Sequence, residues 1–80
     1  MHFSYKACLA EEPCTIAITA QENDAGTFYR VEKDGEFLVY LKKEEGLWMI
    51  EGDERPLWLT SDDIEGIGDE IENYLQKSRT

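Results

Sequence analysis

Residues 27–59 hold the densest alternation of aromatic, β-branched and charged residues in the chain, broken only where a hairpin would turn. TFYRVE (27–32) and EFLVYLKK (36–43) flank Lys33-Asp34-Gly35, and LWMI (47–50) follows Glu44-Glu45-Gly46. Phe, Tyr, Val, Ile and Trp suit a pleated, half-buried surface. Asp-Gly between two such runs is the strongest short hairpin signal there is. This pattern commits the chain to an antiparallel meander.

Upstream, HFSYKACL (2–9) alternates with Phe3, Tyr5, Ala7 and Leu9 on one side, and CTIAITA (14–20) with Cys14, Ile16, Ile18 and Ala20. A loop of Ala10-Glu11-Glu12-Pro13 would set Leu9 opposite Cys14, Ala7 opposite Ile16 and Tyr5 opposite Ile18. All the apolar rows then share a face, and Pro13 sits where no ladder donor is needed. Residues 21–26 are polar and predict a mobile connection. At Asp34-Gly35 a two-residue loop pairs Val31 with Leu38. A three-residue loop with a bulge pairs Val31 with Phe37 and gives the inner row Tyr29, Val31, Phe37, Val39 and Leu41, so the bulged loop is preferred. For the third hairpin, a four-residue loop (43–46) turns Trp48 and Ile50 inward and Leu47 and Met49 outward, and a three-residue loop reverses this.

Residues 51–56 read as a charged turn, and Leu57-Trp58-Leu59 as a short extended strand or lead-in. Thr60-Ser61-Asp62-Asp63 then starts a helix, with a hydroxyl cap and carboxylates favoured by the helix dipole. Ile64, Ile67, Ile71, Tyr74 and Leu75 make one apolar stripe, and Lys77 and Arg79 suit its C-terminal end. Gly66 and Gly68 should each cost about 1 kcal/mol relative to Ala. Gly68 borders the stripe, where a missing side chain lets the helix approach the sheet. Gly66 points to solvent without evident purpose. The expected fold class is α+β, a meander of about five strands (2–59) with one C-terminal helix (61–78) packed on one face, in a single domain, 1–80.

At 80 residues the chain is one domain with a thin stability margin. The opening MHFSYKACLAEE has no apolar run that would serve as a signal peptide or membrane span. With two cysteines, a cytoplasmic location is expected. Net charge is −10, and residues 44–72 hold eleven acids against one base, Arg55. Such a surface repels phosphate backbones and anionic membranes, so direct nucleic-acid and membrane binding are not expected. A basic protein would be attracted, although an acidic face is ordinarily just a solvated one.

Catalytic chemistry is poorly supplied. The one histidine, His2, lies at a terminus that would fray, and a Cys8–His2 pair lacks a third group to orient it. His2, Cys8 and Cys14 give at most three metal ligands, and Cys8 and Cys14 should project to opposite faces, so no metal or disulfide is expected. The pairs Glu44-Glu45, Asp53-Glu54, Asp62-Asp63 and Asp69-Glu70 fall in turns or on the polar helix face, where no burial separates their pKa values. No calcium loop or glycine-rich nucleotide turn is present, so neither a cofactor nor enzymatic activity is expected.

One surplus remains. A single helix covers one sheet face, yet apolar residues lie on both. Phe28, Leu38, Tyr40 and Met49 are the expected partner-binding residues, framed by Arg30 and Glu32 as an interface core is by its rim. Loops or sheet curvature covering them within the monomer is the plainer possibility. The reading is a non-enzymatic protein-interaction module, homodimeric through this back face. The alternative is an acidic decoy that binds a basic nucleic-acid-binding protein through Asp62, Glu65, Asp69 and Glu72. A small-ligand pocket between sheet and helix comes third.

Overall fold

A computed structural model describes residues 1–52 and 55–78. Five antiparallel strands run in sequence order across one sheet: β1 (His2–Leu9), β2 (Glu12–Asn23), β3 (Gly26–Lys33), β4 (Glu36–Glu44) and β5 (Leu47–Glu51). Among the described residues a single helix, α1 (Ser61–Ser78), packs on one face. The α+β meander with a C-terminal helix is thus present. The Asp53-Glu54 pair and Arg79 lie outside the described residues.

The hairpins are tighter than the sequence suggests, and three of the four turn through two residues with φ above zero. Ala10 (φ 53) and Glu11 (φ 65), Asp34 (φ 51) and Gly35 (φ 87), and Glu45 (φ 53) and Gly46 (φ 83) form them. This turn geometry matches the right-handed strand twist, which offsets the strain at Ala10 and Glu11. In the first hairpin Glu12 and Pro13 therefore join the strand, correcting the four-residue loop. Leu9 pairs with Glu12, Ala7 with Cys14 and Tyr5 with Ile16. The register slides by two residues, an even step, so every side chain keeps its face. Pro13 pairs with Cys8 at a position where the ladder asks for no N–H. Residues 21–26 do not form the expected loose connection either: β2 continues to Asn23 and pairs with Gly26. There Asn23 Oδ1 accepts a 2.7 Å bond from the Ala25 amide, ordering the turn.

The second hairpin carries both features that the sequence set against each other. Lys33 pairs with Glu36 across a two-residue Asp34-Gly35 turn, and Asp34 Oδ1 accepts from the Thr15 amide of β2 at 2.9 Å. The bulge is displaced into β4: Glu32 pairs with Phe37 but Val31 with Val39, leaving Leu38 as the extra residue. This overturns the three-residue loop and the inward placement of Phe37. The inner row holds Tyr29, Val31, Val39 and Leu41, while Leu38 at the bulge packs against the buried cluster. In the third hairpin Glu44 pairs with Leu47, and Trp48 and Ile50 turn inward with Leu47 and Met49 outward. The faces match those of the four-residue loop because the two loops differ by an even number.

Ile16, Ile18, Val31, Val39 and Leu41 from the sheet meet Ile64, Ile67 and Ile71 from α1 in a continuous buried core. Each such side chain contributes at most about 1.5–3 kcal/mol. Residues 57–59 are not a strand. They turn, with the Leu59 amide donating to the Pro56 carbonyl at 3.1 Å, and this drives Leu59 into the core. Thr60 caps the helix reciprocally: its Oγ1 accepts from the Asp63 amide, and its own amide donates to Asp63 Oδ2, both at 3.1 Å. Gly68 is buried directly beneath the Trp48 indole, where a Cβ would fall 2.4 Å from the ring. The helix approaches β5 so closely because that position carries no side chain. At its other end the Phe3 and Tyr74 rings stack with centroids 4.2 Å apart, fastening α1 to β1.

Candidate interaction surfaces

With α1 on the inner face, no element among the described residues covers the outer face of the sheet. Alternation along β3 and β4 brings Arg30, Phe37 and Tyr40 together there. The Arg30 guanidinium lies 4.6 Å from the Phe37 ring centroid and 5.9 Å from that of Tyr40, and Arg30 Nη1 donates to the Tyr40 hydroxyl at 3.3 Å. Glu32 Oε1 is 3.8 Å from Arg30 Nε, and the Phe37 and Tyr40 rings are tilted with centroids 5.1 Å apart. A planar cation over an aromatic face adds about 0.5–1 kcal/mol at such exposed sites and holds both rings in place.

The four residues expected to form one patch are distributed differently. Phe28 and Tyr40 are half-buried and line a shared cleft of about 330 Å³ with Gln21, Asn23 and Glu51. Met49 is exposed on the same face, but Lys42 pairs with it and stands between it and Phe28. Lys42 Nζ reaches Glu51 at 2.9 Å and Glu44 at 3.5 Å. The hydrogen bond to Glu51, then the charges of Glu51 and Glu44, hold this ammonium above its ordinary pKa. Leu38 packs toward the core at the bulge. Phe37, 49 % exposed, occupies the outer place that Leu38 was expected to take. Alternation could not have found Phe37, because Phe37 to Leu41 is an unbroken apolar run and the bulge leaves no mark in it.

On the helix, Asp62, Glu65 and Asp69 are exposed along one arc. Glu72, the fourth of the expected acidic residues, is half-buried and paired with Lys43 of β4. That ion pair closes one side of a cleft of about 310 Å³ between sheet and helix, bordered by Tyr29, Trp48 and Leu75. The Trp48 ring meets Tyr29 edge-on at 5.4 Å, and its buried Nε1 has no acceptor among the described residues and lies against Gly68. With that donor covered, the cleft offers a ligand little beyond the Lys43–Glu72 pair. Burial first, then the charge of Glu70, raises the Tyr5 phenol well above its ordinary value; burial also raises Tyr29.

Cys14 is buried and Cys8 exposed on the opposite face, both as free thiols. Among the described residues no three His, Cys, Asp or Glu side chains converge as metal ligands, and no helix is long and apolar enough to cross a membrane. No protein-family model, no curated protein and no solved structure matches this chain.

Proposed function

We propose that this chain is a non-enzymatic protein-interaction module that pairs with a second copy of itself through the outer face of its sheet. The observation that carries this reading is the Arg30–Phe37–Tyr40 cluster on a face that no element among the described residues covers, beside Phe28 and Met49. Charge supports self-contact on this side in particular. Lys6, Arg30 and Lys42 offset Glu32, Glu44 and Glu51 there, whereas the acids of α1 are gathered opposite. A locally balanced face can meet its own copy even when the whole chain is strongly negative, because charges beyond a Debye length of about 8 Å are screened. Five strands at ~4.8 Å spacing and eight residues at ~3.4 Å present about 500 Å². Two such faces reach about 1,000 Å², the lower end of specific interfaces. The free thiol at exposed Cys8 suits a reducing compartment such as the cytoplasm.

Light scattering should give a mass that rises with concentration toward twice that of the chain. Tyr40→Glu should stay folded and run as a monomer, since it sets a carboxylate in the centre of the face. A wild-type protein that stays monomeric at about millimolar concentration, where even weak pairs associate, removes the reading.

A second reading rests on the helix. Asp62, Glu65 and Asp69 present an exposed acidic arc that a basic nucleic-acid-binding protein could contact, without Glu72, which is engaged by Lys43. Binding there weakens steeply with salt, whereas contact through the aromatic face varies little.

A further inference from the structure

The sheet is open at β5. In the β4–β5 ladder Glu44, Lys42 and Tyr40 pair with Leu47, Met49 and Glu51 as the hydrogen-bonded partners flanking a two-residue turn. The backbone N–H and C=O groups of Trp48 and Ile50 therefore point away from β4. Among the described residues no backbone bond reaches them. Alongside runs a groove of about 380 Å³, walled by Trp48 and Ile50 on one side and by Ile64, Ser61 and Glu65 of α1 on the other. An open edge next to a helix-walled groove is the arrangement that accepts an added strand: main-chain bonds hold it and alternate side chains are read in the groove.

We propose that β5 takes up an extended segment of another protein, bearing alternating apolar and Lys or Arg residues, as a sixth strand. This surface meets the outer face only at Leu47 and Met49, and the β5 edge amides report on it apart from the Arg30–Tyr40 cluster, so either proposal can fail alone. Lysines or arginines opposite Trp48 and Ile50 would share their side of the sheet, laying their stems along Ile64 in the groove and bringing their charge within reach of Glu65. The residue between them would lie beside Met49. Charge selects the occupant. Glu45 stands at the start of β5, Glu65 on the groove wall and Asp62 near it, while Glu51 at the far end is engaged by Lys42; among the described residues Arg55 is the one base lining the groove. A second copy paired edge to edge would set its own Glu45 and Glu65 against these same acids, within the screening length. The other open edge, β1, is a poorer host, because Lys6 stands on it and repels a cationic strand.

The probe is a capped synthetic peptide of alternating valine and lysine, titrated into the ¹⁵N-labelled full chain. The Trp48 and Ile50 amides should shift and gain protection from exchange, together with shifts at Ile64 and Glu65. N-methylating the peptide on its pairing edge should weaken binding about tenfold or more, since two backbone bonds are lost. Replacing its lysines by glutamates should abolish binding, and Glu65→Lys should weaken it about fivefold. Four outcomes overturn the proposal: no binding at about 1 mM peptide, binding indifferent to N-methylation, shifts centred on Arg30 and Tyr40, or edge amides protected by protein concentration alone. The last would assign the edge to a second copy.

Discussion

Gly68 and Gly66 sit two residues apart in the same helix and serve opposite ends. At Gly68 a Cβ would meet the Trp48 indole at 2.4–2.5 Å, while at Gly66 it would meet nothing within 4 Å. Both substitutions by alanine gain about 1 kcal/mol of helix propensity. Gly66→Ala should therefore raise the unfolding free energy measured in urea by that amount. Gly68→Ala should lose about 1–3 kcal/mol net, because the indole is held by Tyr29 and the helix and cannot retreat freely. If both variants are stabilised, the contact between α1 and β5 is looser than described. Tyr5 gives a residue-scale prediction in pH. Its phenol holds its proton more tightly folded than unfolded, chiefly through burial. The folded state thus binds more protons once the unfolded phenol begins to ionise, at about pH 10. The stability from Tyr5 is whole below that pH and falls as pH rises beyond it. Unfolding midpoints across the alkaline range should show this decline, and Tyr5→Phe should flatten it.

At the scale of elements, the helix is held at its start, middle and end by different means. Thr60 and Asp63 close the first turn, Gly68 admits Trp48 at the middle, and Phe3 stacks on Tyr74 near the end. Thr60→Ala removes an acceptor and leaves the Asp63 amide to solvent, so it should cost about 1 kcal/mol, with Thr60→Ser close to neutral. A chemical-denaturation series checks this. An alanine variant as stable as the parent would mean that the Leu59 anchor alone orients the helix. The strands show a similar division. Their two-residue turns set the pairing, and the Leu38 bulge in β4 resets which side chains face out, moving Phe37 onto Arg30 and Leu38 toward the core.

Over the whole molecule, charge is divided by the sheet: a mixed outer face lies on one side and the acidic helix on the other. Self-repulsion within α1 and between α1 and the β5 end opposes folding at low salt. Raising ionic strength from about 0.01 M to about 0.15 M shortens the screening length from about 30 Å to about 8 Å. The unfolding temperature should rise with it, by about 4–8 °C for each kcal/mol relieved in a domain of this size. A fall would mean that the Lys42–Glu51 and Lys43–Glu72 pairs outweigh the repulsion.

Alternation and turn residues by themselves determined the order of the strands, the helix with a hydroxyl cap at its start, the inward side of most strands, and the reason for Gly68. These are local properties, written in side-chain period and in the chemistry of single positions. The tertiary structure decided where the loops end, because a register can slide by two residues without moving any side chain to the other face. It also decided the site. Within the apolar run from Phe37 to Leu41 period carries no information, and only pairing with β3 selects Leu38 as the extra residue and sends Phe37 outward to Arg30.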